Sequence, residues 1–287
     1  MRFAKGHGTE NDFVILADPA GELDLPAALA ARLCDRHAGI GADGVLRAVR
    51  MDALRAAGLE DAATAVRGGH LGARAPEWFM DYRNADGSLA EMCGNGIRVF
   101  ARYLLDHGLA EGPAFGIATR AGVRQIRTGP GGSIAADMGA VSVHGPGRAV
   151  VGGALLDGLR ISVGNPHLAC VVDGPLEKFD LSASPGLDPM HFPAGGNVEI
   201  VKVTGLGTLE MRVYERGSGE TRSCGTGAVA SAVAAAAAYG PAAGSWRVTV
   251  PGGTLTVTLD AATSWLTGPA VIVAEGEINR AWLTASR

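Results

Sequence analysis

An internal repeat constrains the fold of this 287-residue chain more than any other feature of its sequence. In each half, a tyrosine opens a segment that runs through a turn to a Cys-Gly-x-Gly tetrapeptide, at Cys93 in one half and at Cys224 in the other. A long apolar run follows each tetrapeptide, over 97–105 and over 228–239. The repeat indicates two related domains, and the chain is long enough for two.

The two apolar runs predict how each domain is built. A helix that is apolar all round is buried on all sides. Each of these helices is therefore expected to be wrapped by a curved sheet, and short apolar segments between glycine-rich turns supply its strands.

Shorter patterns place four further elements. The run 13–16 predicts a strand, and Pro26 suits the first turn of a helix that runs toward Arg36 and ends near Gly39. The segment 246–259, centred on a Pro-Gly-Gly turn, predicts a β-hairpin. The segment 51–78 is a loose excursion with one short helix, to which we assign no role.

Composition and charge exclude several classes of function. The chain has 25 basic against 29 acidic residues, a net charge of −4, and no basic run, which argues against a nucleic-acid partner. No uninterrupted apolar stretch reaches the ~18 residues of a membrane span, and residues 1–7 lack the apolar run of a signal peptide. We expect a soluble, cytoplasmic protein with no membrane partner.

The four cysteines divide into two pairs of different character. Cys34 and Cys170 stand among apolar residues and are expected to be inert core thiols. None of the four has metal-ligand spacing, so no metal site is expected.

Cys93 and Cys224 each stand just before a predicted helix. The first N–H groups of a helix lack partners and its dipole is positive there, so the position favours a thiolate and can hold an anion. If both helices point at one carboxylate, one thiolate can remove the α-proton while the opposite thiol donates a proton to the other face. The pair therefore predicts inversion of a stereocentre by two-base catalysis.

Six motifs that span nearly the whole chain strengthen this interpretation. They are Lys5-x-His7-Gly8-x-x-Asn11-Asp12-Phe13, Arg36-His37-x-Gly39-Ile40-Gly41-x-Asp43-Gly44, Asn84-Ala85-Asp86-Gly87-Ser88 with Met92-Cys93-Gly94-Asn95-Gly96, Gly164-Asn165-Pro166-His167, Asn197-Val198-Glu199, and Tyr214-Glu215-Arg216-Gly217 with Glu220-Thr221 and Ser223-Cys224-Gly225-Thr226-Gly227. At these residues the chain resembles the diaminopimelate epimerases, cofactor-independent isomerases of lysine and peptidoglycan biosynthesis.

The resemblance implies a fold and an assembly. It implies an α/β (α+β) fold of two pseudo-symmetric domains, each a barrel-like, mostly antiparallel sheet around a central helix, with the active site between them. The expected domains are residues 1–137 plus 275–287, and residues 138–274. The resemblance further implies a homodimer that needs no cofactor and acts on the small molecule diaminopimelate.

Roles in the site are carried over by motif. The resemblance makes Cys93 and Cys224 the acid/base pair, with His167 and Glu215 beside them to tune their protonation. The remaining residues would bind substrate. Backbone donors to the reacting carboxylate come from Gly94, Asn95, Gly225 and Thr226; the rest of the substrate is held by Asn11, Asn84, Asn165 and Asn197, and its distal end by Glu215 and Arg216.

Several of these residues also have plain structural interpretations. His167 could be a satisfied turn residue, Asn11 and Asn84 could only shape turns, and Glu215 with Arg216 could be an exposed ion pair. The sequence also departs from the family at Gly44, where many members carry a polar side chain that reaches the ligand.

Three other functions compete with the epimerase. A proline- or hydroxyproline-type racemase shares the paired cysteines, but its small cyclic substrate gives no use to Glu215 and Arg216. A cysteine hydrolase or acyltransferase with His167 as base leaves the second Cys-Gly-x-Gly unexplained. A redox sensor that switches through a Cys93–Cys224 disulfide is the third.

Overall fold

The computed structural model describes residues 1–56, 75–240 and 244–284. In these residues the strands are β1 (Arg2–Gly8), β2 (Asn11–Ala17), β3 (Gly44–Arg50), β4 (Trp78–Asn84), β5 (Ala114–Thr119), β6 (Gly122–Thr128), β7 (Ile134–Gly139), β8 (Ser142–Val151), β9 (Ala154–Ser162), β10 (Pro166–Val171), β11 (Gly186–Leu187), β12 (Asn197–Gly205), β13 (Thr208–Glu215), β14 (Gly219–Thr221), β15 (Gly244–Val250), β16 (Gly253–Leu259), β17 (Ser264–Gly268) and β18 (Val271–Glu277). The helices are α1 (Ala27–Cys34), α2 (Met51–Ala56), α3 (Gly94–Asp106), α4 (Gly225–Tyr239) and α5 (Arg280–Thr284), with 3₁₀ turns at Pro130–Gly132 and Leu176–Lys178. This sheet-dominated α/β architecture with few helices confirms the expected fold class.

The chain divides into two compact units. Unit 1 comprises Met1–Gly8, Asp12–Ala136 and Ala270–Arg287, and unit 2 comprises Thr9–Asn11 and Asp137–Pro269. Each unit contains one of the two Cys-Gly-x-Gly segments, followed at once by a long helix.

The sheet of unit 1 wraps the helix α3. Its strand order is β18-β1-β2-β3-β4-β5-β6-β7, with parallel pairing of β2 with β3 and of β4 with β5. Every one of these strands contributes a side chain to the apolar cluster that surrounds Ile97, Phe100 and Leu104 of α3. Ten of the 13 helix residues are buried, as the apolar run predicts.

Strand β2 shows why the sheet of unit 1 needs helices on its outer face as well. Phe13 and Ile15 point into the α3 cluster, whereas Val14 and Leu16 pack with α1 and α5 on the other side. A strand buried on both faces carries a continuous apolar run rather than an alternating one. The predicted strand at 13–16 is therefore confirmed.

Helix α1 ends earlier than the sequence pattern predicts. Pro26 lies at its N-cap and the helix stops at Cys34, before Arg36. Asp35 adopts non-helical angles, and its carboxylate accepts the backbone N–H groups of His37 and Ala38, each at 2.8 Å. These local hydrogen bonds compete with helix continuation. In the 51–78 excursion, α2 is the expected short helix, and residues 57–74 lie outside the described residues.

The sheet of unit 2 surrounds α4 in the same manner. Its strand order is β11-β8-β9-β10-β12-β13-β15-β16-β17, with β14 also paired to β13, and the pairs β10–β12 and β13–β15 are parallel. Strands β15 and β16 form the predicted hairpin. The alanine-rich sequence of α4 lets strands approach it closely, and ten of its 15 residues are buried. None of the helices in the described residues has the length and apolarity that a bilayer-spanning segment needs.

Candidate active site

Cys93 is the N-cap of α3. Its backbone is extended (φ −132°, ψ 124°), and its Sγ accepts the N–H of Gly96 at 3.4 Å. A sulfur in this position takes the place of the usual side-chain oxygen cap and feels the positive end of the helix. Such a setting favours the thiolate, and Cys93 is only half-buried.

Arg98, which the sequence analysis did not single out, supports the first turn of α3 from within. Its guanidinium has no exposed surface, and it donates from Nη2 to Asn95 Oδ1 at 2.9 Å and from Nη1 to the Gly94 carbonyl at 3.1 Å. Both acceptors belong to residues that are predicted to bind the reacting carboxylate. The signal was an arginine within the first turns of a largely apolar helical run.

Cys224 caps α4 with the same geometry. Its φ is −123° and its ψ is 119°, and its Sγ accepts the N–H of Gly227 at 3.4 Å and lies 3.4 Å from Thr226 Oγ1. Burial raises the pKa of this thiol well above its usual range, and the nearby carboxylates of Glu215 and Glu199 raise it further. Cys224 is therefore protonated at neutral pH in this structure.

Glu215 lies directly beside Cys224. Its carboxylate accepts a hydrogen bond from the Thr221 hydroxyl and is hydrogen-bonded to the Cys224 thiol. Removal of the carboxylate from water raises the pKa of Glu215, and these hydrogen bonds oppose the rise. Unit 2 thus brings together a predicted catalytic thiol and the glutamate that is predicted to tune it.

His167 is fully buried and both of its ring nitrogens are engaged. Nδ1 lies 2.6 Å from Glu199 Oε1, and Nε2 lies 2.9 Å from Asn165 Oδ1. In the parallel pairing of β10 with β12, His167 stands opposite Asn197 and Glu199 is two residues further on, so all three face α4. His167 acts in this structure as a bridge between two polar side chains, with no exposed surface of its own.

Glu199 also belongs to this site, although its sequence motif predicted no role for it. It is fully buried, and a Cβ at Gly227 would lie 2.8 Å from its Oε1, so the carboxylate rests against the first turn of α4. An acidic residue within the buried run of β12 indicates a polar site, because an ionisable group at such a position needs a partner.

Asn197 and Arg216 are joined through the backbone. Asn197 Oδ1 accepts the Arg216 N–H at 2.9 Å, and Arg216 Nη1 donates to the Ala194 carbonyl at 3.2 Å. The Asn197 side chain is buried and the Arg216 side chain is exposed. The pair therefore offers an accessible guanidinium on a fixed backbone.

The remaining two asparagines lie at strand ends beside turns, Asn11 at the start of β2 and Asn84 at the end of β4. Asn84 Nδ2 donates to Ser88 Oγ at 3.0 Å, within the turn that ends β4. Asn11 follows Thr9 and Glu10, which both have positive φ (50° and 63°). This conformation is strained for Thr9, because its side chain is β-branched. Within unit 2 this turn is held by a 2.6 Å contact from Thr9 Oγ1 to Ser223 Oγ, next to Cys224.

Four charged motif residues of unit 1 form an ion cluster. The Asp12 carboxylate accepts Lys5 Nζ at 2.6 Å and Arg36 Nη2 at 2.8 Å, and Arg36 Nη2 also contacts Asp43 Oδ1 at 2.6 Å. Burial alone would raise the pKa of Asp12, but the hydrogen bonds from Arg36 and Lys5 outweigh it and hold that pKa at about 2. These motif residues fix the β1–β2–β3 corner.

Gly44 is required by packing. A Cβ at this position would lie 2.6 Å from the Arg83 carbonyl and 2.7 Å from the Tyr82 ring, so no side chain fits. In the parallel β2–β3 pair Gly44 stands opposite Phe13, as Asn197 stands opposite His167 in unit 2. The two repeats therefore differ in polarity at equivalent positions.

The two remaining cysteines are buried and their thiols are protonated. Burial raises the pKa of Cys34 to about 11 and that of Cys170 to about 12. Across residues 1–56, 75–240 and 244–284, no group of three or more His, Cys, Asp or Glu side chains is placed to hold a metal ion.

Comparison with known proteins assigns the family. The diaminopimelate epimerase family model matches residues 3–144 and 159–280. A diaminopimelate epimerase of Thermobifida fusca (strain YX) is 59% identical over 280 residues, which cover 97% of this chain and 98% of that protein.

Two solved structures share the fold at low sequence identity. A phenazine biosynthesis protein of the PhzF family from Bacillus anthracis has a TM-score of 0.68 at 15% identity, covering 97% of this chain and 99% of that one. A probable proline racemase from Agrobacterium radiobacter K84 has a TM-score of 0.64 at 14% identity, covering 97% and 93%. The structures establish the fold, and the sequence matches establish that the chain belongs to the diaminopimelate epimerase family.

Proposed function

We propose that this chain is an isomerase that converts LL-diaminopimelate to meso-diaminopimelate, without a cofactor, in the supply of lysine and peptidoglycan precursors. The observation that carries the proposal is the matched geometry of Cys93 and Cys224, each the N-cap of a buried helix in its own unit. Each cap places a thiol beside the N-terminal end of a helix, where an anion can bind, and the chain has two such arrangements.

The proposed reaction is a proton removal followed by a proton delivery. One cysteine thiolate takes the α-proton, the C–H electron pair stays with the substrate and spreads into its carboxylate, and the thiol of the other cysteine protonates the α-carbon from the opposite side. The thiolate and thiol have then exchanged places and equilibrate with solvent. Because one cysteine must be ionised and the other protonated, turnover has a bell-shaped pH dependence.

Binding of the reacting carboxylate is proposed for the first turns of the two helices. Backbone N–H groups there would stabilise the charge that develops on the carboxylate as the proton leaves. In unit 1 these residues are Gly94 and Asn95, and in unit 2 they are Gly225 and Thr226.

The distal amino-acid end is proposed to meet Glu215 and Arg216. The exposed guanidinium of Arg216 can bind a carboxylate through two parallel hydrogen bonds, and Glu215 can accept an ammonium group. The asparagines supply both donors and acceptors along the substrate: these are Asn11, Asn84, Asn165 and Asn197. We place Glu215 and His167 beside the thiols as the groups that tune their protonation, and the contact of Glu215 with Cys224 supports this for the second cysteine.

A homodimer in the cytoplasm, with no nucleic-acid or membrane partner, completes the proposal. The family resemblance supports the dimer, and light scattering of the purified chain tests it: a mass of two chains is expected, and a single-chain mass would contradict it.

Turnover of LL-diaminopimelate tests the function directly. Protein dialysed against a chelator to remove metal, with no pyridoxal phosphate added, is incubated with LL-diaminopimelate, and the isomers are separated chromatographically. We expect the meso isomer to accumulate, and we expect no racemisation of L-proline or trans-4-hydroxy-L-proline in parallel samples. Turnover of either proline without turnover of diaminopimelate would contradict the proposal and favour the racemase alternative.

A further inference from the structure

Arg98 is a fully buried cation with an incomplete set of partners. Its two terminal nitrogens donate to Gly94 and Asn95, while its Nε has no hydrogen-bond partner in the part of the chain that the structure describes. Within the same residues, no carboxylate lies within ion-pair distance of its guanidinium. A buried charge without an anion is costly, so its presence needs a reason.

The charge of Arg98 persists at neutral pH. Burial lowers the pKa of Arg98 to about 10, and the negative form of Cys93 opposes that fall. Because the interaction between two charges is mutual, the guanidinium favours the Cys93 thiolate as much as the thiolate favours the guanidinium.

In the described residues, the side chains of β2 and β3 nearest to Gly96 of this turn carry no charge. An ideal Cβ on Gly96 would lie 3.3 Å from Phe13 of β2 and 3.4 Å from Leu46 of β3, neither of which can ionise. An ideal Cβ on Gly8 of β1 would lie 3.2 Å from Arg98 Nη2 and 3.2 Å from the Asn95 carbonyl oxygen. A side chain at Gly8 would therefore press on both the guanidinium and the first turn of α3.

The second repeat has the opposite arrangement. Five residues after Cys224 the helix carries Val229, where Arg98 stands five residues after Cys93. In unit 2 the polar groups come from the strands instead, because His167 and Glu199 of β10 and β12 replace Phe13 and Leu46 of β2 and β3. A cation therefore supports the first cysteine, and carboxylates surround the second.

We infer that Arg98 is a positioning residue for Cys93, which stabilises its thiolate and holds Gly94 and Asn95 in the first turn of α3. Arg98 acts through these residues and does not touch the substrate. The inference rests on the proposed function, in which the thiolate is the base. It assigns the resting state of the pair: Cys93 is the thiolate and Cys224 the thiol.

Alkylation of Cys93 by iodoacetamide measures this effect without any substrate. In a Cys224→Ser background, the second-order rate constant is measured from pH 5 to pH 10 for the parent, for Arg98→Met and for Arg102→Met. The control removes the same charge from the same helix one turn later, where Arg102 pairs with Asp106. Mass spectrometry of peptides confirms that Cys93 is the alkylated residue, and circular dichroism confirms the fold.

The expected result is a slower reaction in Arg98→Met only. Loss of a neighbouring opposite charge should slow alkylation at pH 7 by about tenfold or more and move the midpoint of the profile to higher pH. Gly8→Ala is a second variant, because its Cβ would press on Arg98 Nη2, and it should shift the profile in the same direction by a smaller amount.

Two outcomes overturn the inference. One is a parent-like alkylation profile in a folded Arg98→Met protein, and, where that variant does not fold, a parent-like profile in Gly8→Ala has the same force. The other is an equal slowing in Arg102→Met, which would indicate a general effect of charge on the helix. A chain that fails to turn over diaminopimelate would contradict the proposed function and leave the alkylation result standing, so the two failures are distinguishable.

Discussion

Glu199 Oε1 lies 2.6 Å from His167 Nδ1, and neither side chain has any exposed surface. The other ring nitrogen, Nε2, lies 2.9 Å from the amide oxygen of Asn165, so both nitrogens of the ring are held. The carboxylate therefore fixes the orientation of the imidazole and, through it, the position of a proposed substrate-binding amide.

Substitution of Glu199 by Gln should affect both stability and turnover. We expect the free energy of unfolding to fall by about 1–3 kcal/mol, because a buried charge-assisted hydrogen bond is replaced by a weaker one. Glu210→Gln, on the exposed face of β13, is the matched control and should change it by less than about 0.5 kcal/mol. Urea unfolding and initial rates measure the effects, and equal values for both variants would contradict the role given to Glu199.

The protein should lose stability in acid as Asp12 becomes protonated. Its pKa is held at about 2 instead of its ordinary 3.8, so its contribution is fully present above pH 4 and is lost as the pH falls toward 2. Asp12→Asn should lower the free energy of unfolding at pH 7 by about 2 kcal/mol and flatten its pH dependence below pH 4.

The control for Asp12 is an exposed ion pair. Asp157→Asn breaks the contact with Arg148, in which both side chains are mostly exposed, and should have little effect. Urea titrations at several pH values between 5 and 3 measure the slopes, and an unchanged slope in Asp12→Asn would show that the cluster does not hold the Asp12 charge.

A side chain at Gly44 should destabilise unit 1. Gly44→Ser places a Cβ 2.6 Å from the Arg83 carbonyl and should cost about 1–3 kcal/mol through displacement of the β3–β4 pair. Gly186→Ser is the control, since its Cβ would meet Val150 at an ordinary 3.4 Å. Thermal unfolding of the two variants side by side tests the packing, and equal transition temperatures would show that the sheet adjusts freely.

The helix caps could be predicted from sequence because their signals are local. One short segment, a cysteine followed by Gly-x-Gly and an apolar run, predicts the helix cap, the glycines that let a ligand approach the backbone, and the buried helix. The structure shows Cys93 and Cys224 at those caps. The early end of α1 was missed because Asp35 has a side-chain alternative to the helix, which a count of apolar positions does not register.

Arg98 and Glu199 needed the structure because their roles depend on distant neighbours. Glu199 meets His167 only through the parallel pairing of β10 with β12, 32 residues apart in sequence. The role of Arg98 depends on its packing beside Gly8 of β1, and Phe13 and Leu46 near the same turn supply no anion. Gly44 likewise depends on a distant part of the chain, because the strand paired beside it leaves no room for a side chain.

Removal of the Glu215 carboxylate should make Cys224 more reactive. Burial is the largest cause of the raised pKa of Cys224 and Glu215 the next, so Glu215→Gln should lower that pKa. In a Cys93→Ser background at pH 8, we expect iodoacetamide to alkylate Cys224 about 3- to 10-fold faster. Glu220→Gln, on the next strand and half-exposed, is the control, and equal rates in the two variants would contradict the coupling of Glu215 to the thiol.

The central claim is that two cysteines act on one carbon, and deuterium oxide tests it most directly. LL-diaminopimelate is incubated in deuterium oxide to a few per cent conversion, and both isomers are examined by mass spectrometry, with Cys93→Ala and Cys224→Ala measured alongside. Two bases predict one deuterium in the meso product, none in the recovered LL isomer, and at least a ~100-fold loss of turnover in either variant. Deuterium in the recovered LL isomer at the same rate as in the product, or full turnover by either variant, would contradict the account.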